Sequence, residues 1–363
     1  MTKPWTLIWR RGNEKISFRD AKTHFVQGQV GSGKSILTEH IGMKYLENGA
    51  VILDLFASAD GENLAWLRAP FIGDLKVCLL KGENVDVETV YDVKQVENLG
   101  LHDLEKYDLI INSRPLYLDK NHEYFAVGQL TDLLYRRFTY RRLIYLLARE
   151  ASSLWYSRLK VSESQADAKS EMLYLLREMR HLGVALGLDT LRYIGIDKDL
   201  RSHVDYLYLK AQGVAGLSDD LKFLYHFFDP SFIRKMKARE FMLMCRTGGL
   251  AVGHFPYHEW HKRERENIIK AVGLKIEYGQ VTELPKGRGV YKTVGDREHA
   301  EIIELYAGEG LGMLQIAEQQ KRSTRTVSVH VKKHNEVVTR SGFCAACKRA
   351  GSQHFNKKAT RGK

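Results

Sequence analysis

The sequence predicts an α/β fold, a mainly parallel sheet covered by helices, followed by a small all-α domain. Three observations predict it. Short apolar runs recur along the first two thirds of the chain with helical patterns between several of them. A glycine-rich loop stands between the first such run and a helix. From about residue 296 the texture becomes short helical stretches separated by glycines. With 363 residues, 44% of them hydrophobic, the chain is long enough for one large or two medium domains, each with its own core.

The first run, Thr23-His24-Phe25-Val26, has the composition of a buried strand. It leads into Gly28-Gln29-Val30-Gly31-Ser32-Gly33-Lys34-Ser35, a full match to the phosphate-binding P-loop pattern. Glycines at this spacing let successive backbone N–H groups curl around a phosphate, and a helix starting near Gly33 aims its positive end at the same anion. Lys34 is expected to reach the β and γ phosphates and Ser35 to offer its hydroxyl to magnesium. Ile36, Leu37, His40, Ile41, Lys44 and Tyr45 recur at helical spacing until Gly49 stops the helix. The chain is thus expected to bind ATP or GTP with magnesium.

Residues 51–56 form a second apolar run with a carboxylate, Asp54, inside it. Further runs follow at 77–80, 108–112, 143–148, 184–188 and 205–209, with helices expected over 128–138 and 165–182. In the latter, Met172, Leu175, Leu176 and Met179 share a face. A hairpin around Gly248-Gly249, with arms 240–245 and 250–252, closes the domain.

A P-loop needs a partner strand ending in acidic residues, one to hold magnesium and one to polarise the attacking water. The run 143–148 continues into Arg149-Glu150, which makes Glu150 the candidate general base or water-positioning residue. Arg149 stands where an aspartate is usual and cannot bind a cation, so metal coordination falls to Ser35 and water, or borrows Asp54. The alternative is an ordinary buried strand with a surface Arg-Glu pair. Downstream, Arg177 and Arg180 close a helix just before the run that ends in Asp189-Thr190-Leu191-Arg192. That polar strand end suits γ-phosphate sensing. An arginine here serves a neighbouring subunit's site or simply offsets the helix dipole.

The expected organisation is a P-loop domain over 1–257, a linker or extension over 258–295, a helix-turn-helix domain over 296–340, and a flexible Cys-x-x-Cys and basic tail over 341–363. Three helices are expected at 297–309, 313–321 and 324–338, with Ser323 as an N-cap and Val327, Val331 and Val338 turned inward. This leaves Ser323, Thr324, Arg325, Thr326, Ser328 and Lys332 as candidate DNA contacts, Arg325 reading a guanine edge or gripping phosphate. A three-helix bundle for protein contact is the other reading. Cys344-Ala345-Ala346-Cys347 is half of a zinc site by spacing, with His354 and either His330 or His334 as further candidates, against an exposed dithiol or a simple turn. The tail from Lys348 carries six Lys or Arg residues and no acidic one.

The net charge of +12 points to polyanionic partners. Four scattered cysteines make no disulfide framework and fit a reducing cytoplasm. No secretory signal or apolar run of about 18 residues is expected to engage a membrane.

The order of P-loop, Asp-bearing second strand, strand ending in Glu, Arg-His-Leu-Gly and Asp-Thr-Leu-Arg resembles the HerA/FtsK group of DNA-pumping ATPases, over about residues 20 to 255. That resemblance implies an ATPase acting in a hexameric ring with double-stranded DNA in its pore. It assigns Lys34 and Ser35 to phosphate and magnesium, Glu150 to water activation, and Arg180 to a site across a subunit interface. Two departures stand out: Arg149 replaces the usual acid, and Leu191 replaces a usual glutamine. The segment Gln315-Ile316-Ala317-Glu318 with 323–328 is similar to bacterial and archaeal helix-turn-helix regulators. The leading expectation is therefore an ATP-hydrolysing DNA motor. A nucleotide-switched transcriptional regulator is the alternative, and a scaffold without turnover a third reading.

Overall fold

A computed structural model of the chain describes residues 5–56, 61–135, 142–156, 163–213, 216–261, 267–279, 295–320, 322 and 324–360. The chain divides into two compact units, residues 1–287 and 288–363.

The strands of the first unit are β1 (Thr6–Arg11), β2 (Thr23–Gln27), β3 (Val51–Phe56), β4 (Val77–Lys81), β5 (Val85–Glu88), β6 (Asp92–Gln95), β7 (Leu109–Asn112), β8 (Ile144–Ala148), β9 (Val184–Thr190), β10 (Tyr206–Leu209), β11 (Glu240–Cys245), β12 (Leu250–His254) and β13 (Lys275–Tyr278). Its helices are α1 (Lys34–Glu47), α2 (Asp103–Lys106), α3 (Lys120–Tyr135), α4 (Glu163–Glu178), α5 (Lys198–Ser202), α6 (Pro230–Lys235) and α7 (Ile268–Ala271). Among the described residues, eleven strands form one sheet in the order β1-β12-β11-β10-β2-β9-β8-β3-β7-β4-β6.

From β10 to β6 every neighbouring pair is parallel, while β11, β12 and β1 extend the sheet antiparallel. The central strands are buried along their whole length, β8 and β9 at every residue, so their sequences read as continuous apolar runs rather than alternations. α1 covers one face through Leu37, Ile41 and Tyr45, whose ring stacks on Tyr145 of β8 with centroids 4.5 Å apart. α3 and α4 pack against each other, with Thr131 and Met172 in contact. This is the α/β class expected, with each predicted run a strand. Residues 136–138 of the expected helix 128–138 lie outside the described residues.

Two expectations need correction. Residues 258–295 are not simply a linker. Trp260 packs on Trp66 at 5.3 Å, His261 is buried, and β13 pairs antiparallel with β5, so the described residues of 258–279 belong to the first unit. Its charge and glycine content concealed a short strand and a buried aromatic anchor.

The tail is the second. In the second unit α8 (Asp296–Ala307), α9 (Met313–Gln319), α10 (Thr324–Ser341) and α11 (Ala345–Arg349) enclose a core of Ile302, Ile303, Ile316, Val327, Val331 and Val338. Cys344, Cys347 and Ala359 belong to that same core, so the described part of 341–363 is anchored to it at three points. The Asn335 side chain accepts from the Ala359 N–H at 2.6 Å and donates to its carbonyl at 3.2 Å, which ties the chain end to α10. A basic composition alone did not reveal these apolar anchors. Among the described residues no helix is long and apolar enough to cross a membrane.

Candidate nucleotide-binding site

The strand order sets the site. β9 lies between β2, which carries the P-loop, and β8, which carries Glu150, and all three are parallel. Their C-terminal ends therefore emerge together at one edge, where parallel sheets bind ligands.

At that edge the loop is held in shape by backbone bonds. Gly28 N–H donates to Thr190 O at 3.2 Å and Gln29 N–H to Ala211 O at 2.9 Å, pinning the loop to the ends of β9 and β10. Gly33 has φ +85°, and a Cβ there would lie 2.6 Å from the Ala238 carbonyl oxygen, so both backbone and space demand glycine. No side chain caps α1 at Gly33, which leaves its first-turn N–H groups to an anion. Lys34 is buried, with Nζ donating to Gln29 O at 3.2 Å, and Ser32 Oγ donates to the same carbonyl at 2.8 Å. A buried lysine that donates to a loop carbonyl at the mouth of the P-loop is poised for a phosphate. Gln29, Val30 and Gly31 form the exposed turn and Ser35 is half-buried at the start of α1.

Glu150 follows β8 at φ +48°, alone among the described non-glycine residues in the left-handed region. That conformation costs about 1–2 kcal/mol and turns the chain sharply as it leaves the strand. Its N–H donates to Asp189 Oδ1 at 2.8 Å. Asp189 is the penultimate residue of the fully buried β9, and its second oxygen is buried without a hydrogen-bond partner. Burial first, and then the Glu150 charge, push the Asp189 carboxyl up to about 7, against the pull of Lys34. Lys34, Glu150 and Asp189 thus form one electrostatic group at the sheet edge. The run into 189–192 marked a polar strand end, but nothing in it singled out Asp189 as the partner of Glu150.

Arg149 is fully buried and is not part of a surface Arg-Glu pair. Its Nη2 lies 2.7 Å from Asp54 Oδ2 and 2.6 Å from Glu39 Oε1. Glu39 Oε2 is 2.6 Å from His261 Nδ1, and His261 Nε2 is 3.3 Å from Glu62 Oε1. Asp54 also accepts from Trp66 Nε1 at 2.8 Å and Asn63 Nδ2 at 3.3 Å. The expectation that Asp54 is borrowed for magnesium is therefore corrected: both its oxygens are taken up by β8 and by the turn after β3. Burial disfavours charge on Glu39, yet Arg149 and His261 hold it below the usual carboxylate range. Against burial, Glu39 and then Glu62 lift His261 to about 9. The network joins α1 to β3, β8 and the segment after β12. Its one sequence signal was an acid, Glu39, next to the buried stripe of the P-loop helix.

Arg180 sits between α4 and β9, at the sheet edge opposite the P-loop, where its Nη2 lies 2.8 Å from Asp205 Oδ1. Asp205 in turn accepts from Thr23 N–H at 3.0 Å. Within its own chain Arg180 does not meet the nucleotide site. Leu191 is exposed and, with Gln29, Val30, Tyr193, Gln212 and Leu217, lines a cavity of about 430 Å³ beside the P-loop.

In the second unit Ser323 and the side chains of Thr324 and Arg325 lie outside the described residues. Thr326 and Ser328 are half-buried on α10, and Lys332 is exposed with Nζ 3.9 Å from Glu336. Cys344 and Cys347 are buried beside His299 and His334. His354 instead lies 3.4 Å from Glu304, and His330 contacts His299.

No protein-family model matches the chain, and no curated protein matches it. Among solved structures it is similar to the DNA-packaging ATPase B204 of Sulfolobus turreted icosahedral virus, at 16% identity over 66% of this chain and 100% of that one, with a TM-score of 0.38. It is also similar to the pCW3 conjugation coupling protein TcpA, at 14% identity over 73% of this chain and 70% of that one, with a TM-score of 0.40. The cytoplasmic domain of the type VII secretion ATPase EccC of Thermomonospora curvata is 11% identical over 67% of this chain and 24% of that one, with a TM-score of 0.39. These scores are low, and the functional reading rests on the site itself.

Proposed function

We propose that the chain is an ATP-hydrolysing, DNA-binding motor of the HerA/FtsK type, used in DNA translocation, packaging, segregation or transfer. The observation that carries the hydrolytic part is the meeting of the P-loop, Glu150 and Asp189 at one edge of the sheet. Phosphates suit the uncapped start of α1 and Lys34. Ser35 and the free oxygen of Asp189 are the groups suited to magnesium or its water, and the ion supplies charge neutralisation at the phosphates. Glu150 orients the attacking water and takes its proton as the terminal phosphoanhydride bond breaks. The cavity beside Gln29 and Val30 has room for a nucleoside base.

The motor part draws on the charge of +12 and on the order of motifs in the sequence. In this reading double-stranded DNA is the partner, the subunits assemble as a ring, and α9 and α10 serve as a helix-turn-helix with Lys332 among its phosphate contacts. Arg180 would act across a subunit interface only by leaving Asp205, so its pairing favours the dipole-offsetting role.

The test is phosphate release from ATP in magnesium buffer by the wild type and Glu150→Gln, each with and without double-stranded DNA. The motor reading expects turnover to rise severalfold with DNA and to fall by about 100-fold or more in the variant, with ATP binding retained. A second reading, a nucleotide-switched transcriptional regulator, is favoured by Arg149 standing in the usual metal-binding position. It expects slow turnover indifferent to DNA and sequence-specific binding that changes with nucleotide.

A further inference from the structure

The second unit carries four side chains that the nucleotide chemistry does not use. His299 of α8, His334 of α10, Cys344 at the cap of α11 and Cys347 within it are all buried, and one ligating atom of each lies within 4.8 Å of the others. His299 Nε2 is 3.5 Å from Cys344 Sγ, and His334 Nδ1 is 3.4 Å from Cys347 Sγ. A tetrahedron with metal–sulfur bonds of about 2.3 Å and metal–nitrogen bonds of about 2.0–2.1 Å has nitrogen–sulfur edges of about 3.5 Å. Both contacts are edges of that length.

The surroundings prepare the ligands. His334 Nε2 is 2.8 Å from the Lys357 carbonyl oxygen, a contact that requires Nε2–H and leaves Nδ1 with a bare lone pair facing Cys347. His299 Nδ1 is 2.9 Å from His330 Nδ1, and donation from His299 leaves its Nε2 free for the cluster. The backbone forms a knuckle around the thiols. Cys344 N–H donates to Phe355 O at 2.5 Å, Lys348 N–H to Cys344 O at 3.0 Å and Ser352 N–H to Cys347 O at 2.9 Å. Gly351, at φ +74°, turns the chain back.

We propose that His299, His334, Cys344 and Cys347 bind one structural Zn²⁺ that joins α8, α10 and α11. Two sulfurs and two nitrogens select zinc, and four protein ligands leave no open position for a substrate. The inference is independent of the nucleotide reading. His299 lies 45 residues before Cys344, outside recognised finger spacings, which is why it was missed while Cys344, Cys347 and, among several candidates, His334 were named.

The test uses the full chain, purified under reducing conditions. Metal analysis is expected to find one zinc per chain. After zinc is stripped, Co²⁺ is expected to give the intense visible bands of tetrahedral cobalt and a near-ultraviolet sulfur-to-cobalt band. Cys347→Ser and His299→Ala should each weaken Co²⁺ binding by about tenfold or more, while His354→Ala, whose ring lies against Glu304, keeps one metal per chain. The wild-type spectrum needs no variant to fold. A reduced chain that gives no tetrahedral cobalt spectrum, a Cys347→Ser variant that keeps full stoichiometry, or a metal-free Cys344–Cys347 disulfide in the chain as purified would each overturn the proposal.

Discussion

Glu150 gives its backbone N–H to Asp189 Oδ1 at 2.8 Å while standing at φ +48°, so the residue proposed to activate water is held in place by the strand next to the P-loop strand. Two separate roles for Asp189 follow, an acceptor for Glu150 and, once ionised above about pH 7, a negative charge beside Lys34. Asp189→Asn keeps an oxygen for the N–H and removes the charge. We expect it to slow phosphate release by on the order of 10- to 100-fold and to raise the magnesium concentration needed. Asp189→Ala loses the acceptor as well and should be slower still. Equal turnover in wild type and Asp189→Asn over a magnesium titration would remove Asp189 from the site.

The left-handed turn at Glu150 separates stability from chemistry. Glycine takes that conformation without steric cost but gains freedom in the unfolded chain, so Glu150→Gly should change stability by no more than about 1 kcal/mol in either direction. Its turnover should nevertheless be as low as that of Glu150→Gln. If the glycine variant hydrolyses ATP at the wild-type rate, the carboxylate has no part in the reaction.

Arg149 is a structural hub. Arg149→Met leaves Asp54 buried without its cation and Glu39 with His261 alone, and the expected loss is about 3–5 kcal/mol in urea unfolding. The double change Arg149→Met with Asp54→Leu should recover part of that loss, because it removes the stranded charge. All five tryptophans lie in the first unit, so their fluorescence follows this unit's unfolding. A single variant as stable as wild type would show that Arg149 and Asp54 are not paired in solution.

The parallel core was legible because strands buried on both faces need continuous apolar runs; those at β2, β3, β8 and β9 could be placed from composition alone. The P-loop was legible because its chemistry needs fixed glycines. The role of Arg149 was not, since an arginine after a strand reads the same whether it faces water or a buried carboxylate. Its partners come from α1, β3 and the segment after β12, and only the folded sheet brings them together. His299 was hidden in the same way, by distance along the chain.

Three histidines contribute opposing pH dependences to the stability of the first unit. His24 is fully buried between the Tyr208 and Tyr45 hydroxyls, at 3.0 and 2.9 Å, and burial, with Lys22, lowers it to about 3. His40 is lowered to about 3 by burial, His258 and Lys44. Between pH 3 and 6.5 the unfolded chain binds protons that these two refuse, so each makes stability fall by about 1.4 kcal/mol per unit as pH drops below 6.5. His261 has the opposite sign. Its folded value of about 9 lies above the unfolded 6.5, so its stabilisation is complete below 6.5 and is lost as pH rises toward 9. Taken alone, the three place the maximum near pH 6.5, with up to about 3 kcal/mol lost on the alkaline side. Urea unfolding followed by tryptophan fluorescence at acid, neutral and alkaline pH tests this. His261→Gln should flatten the alkaline limb and leave the acid limb unchanged. His24→Asn should leave the alkaline limb unchanged and reduce the acid limb by about half, the rest being due to His40. An alkaline limb that persists unchanged in His261→Gln would mean that His261 is not the charged partner of Glu39.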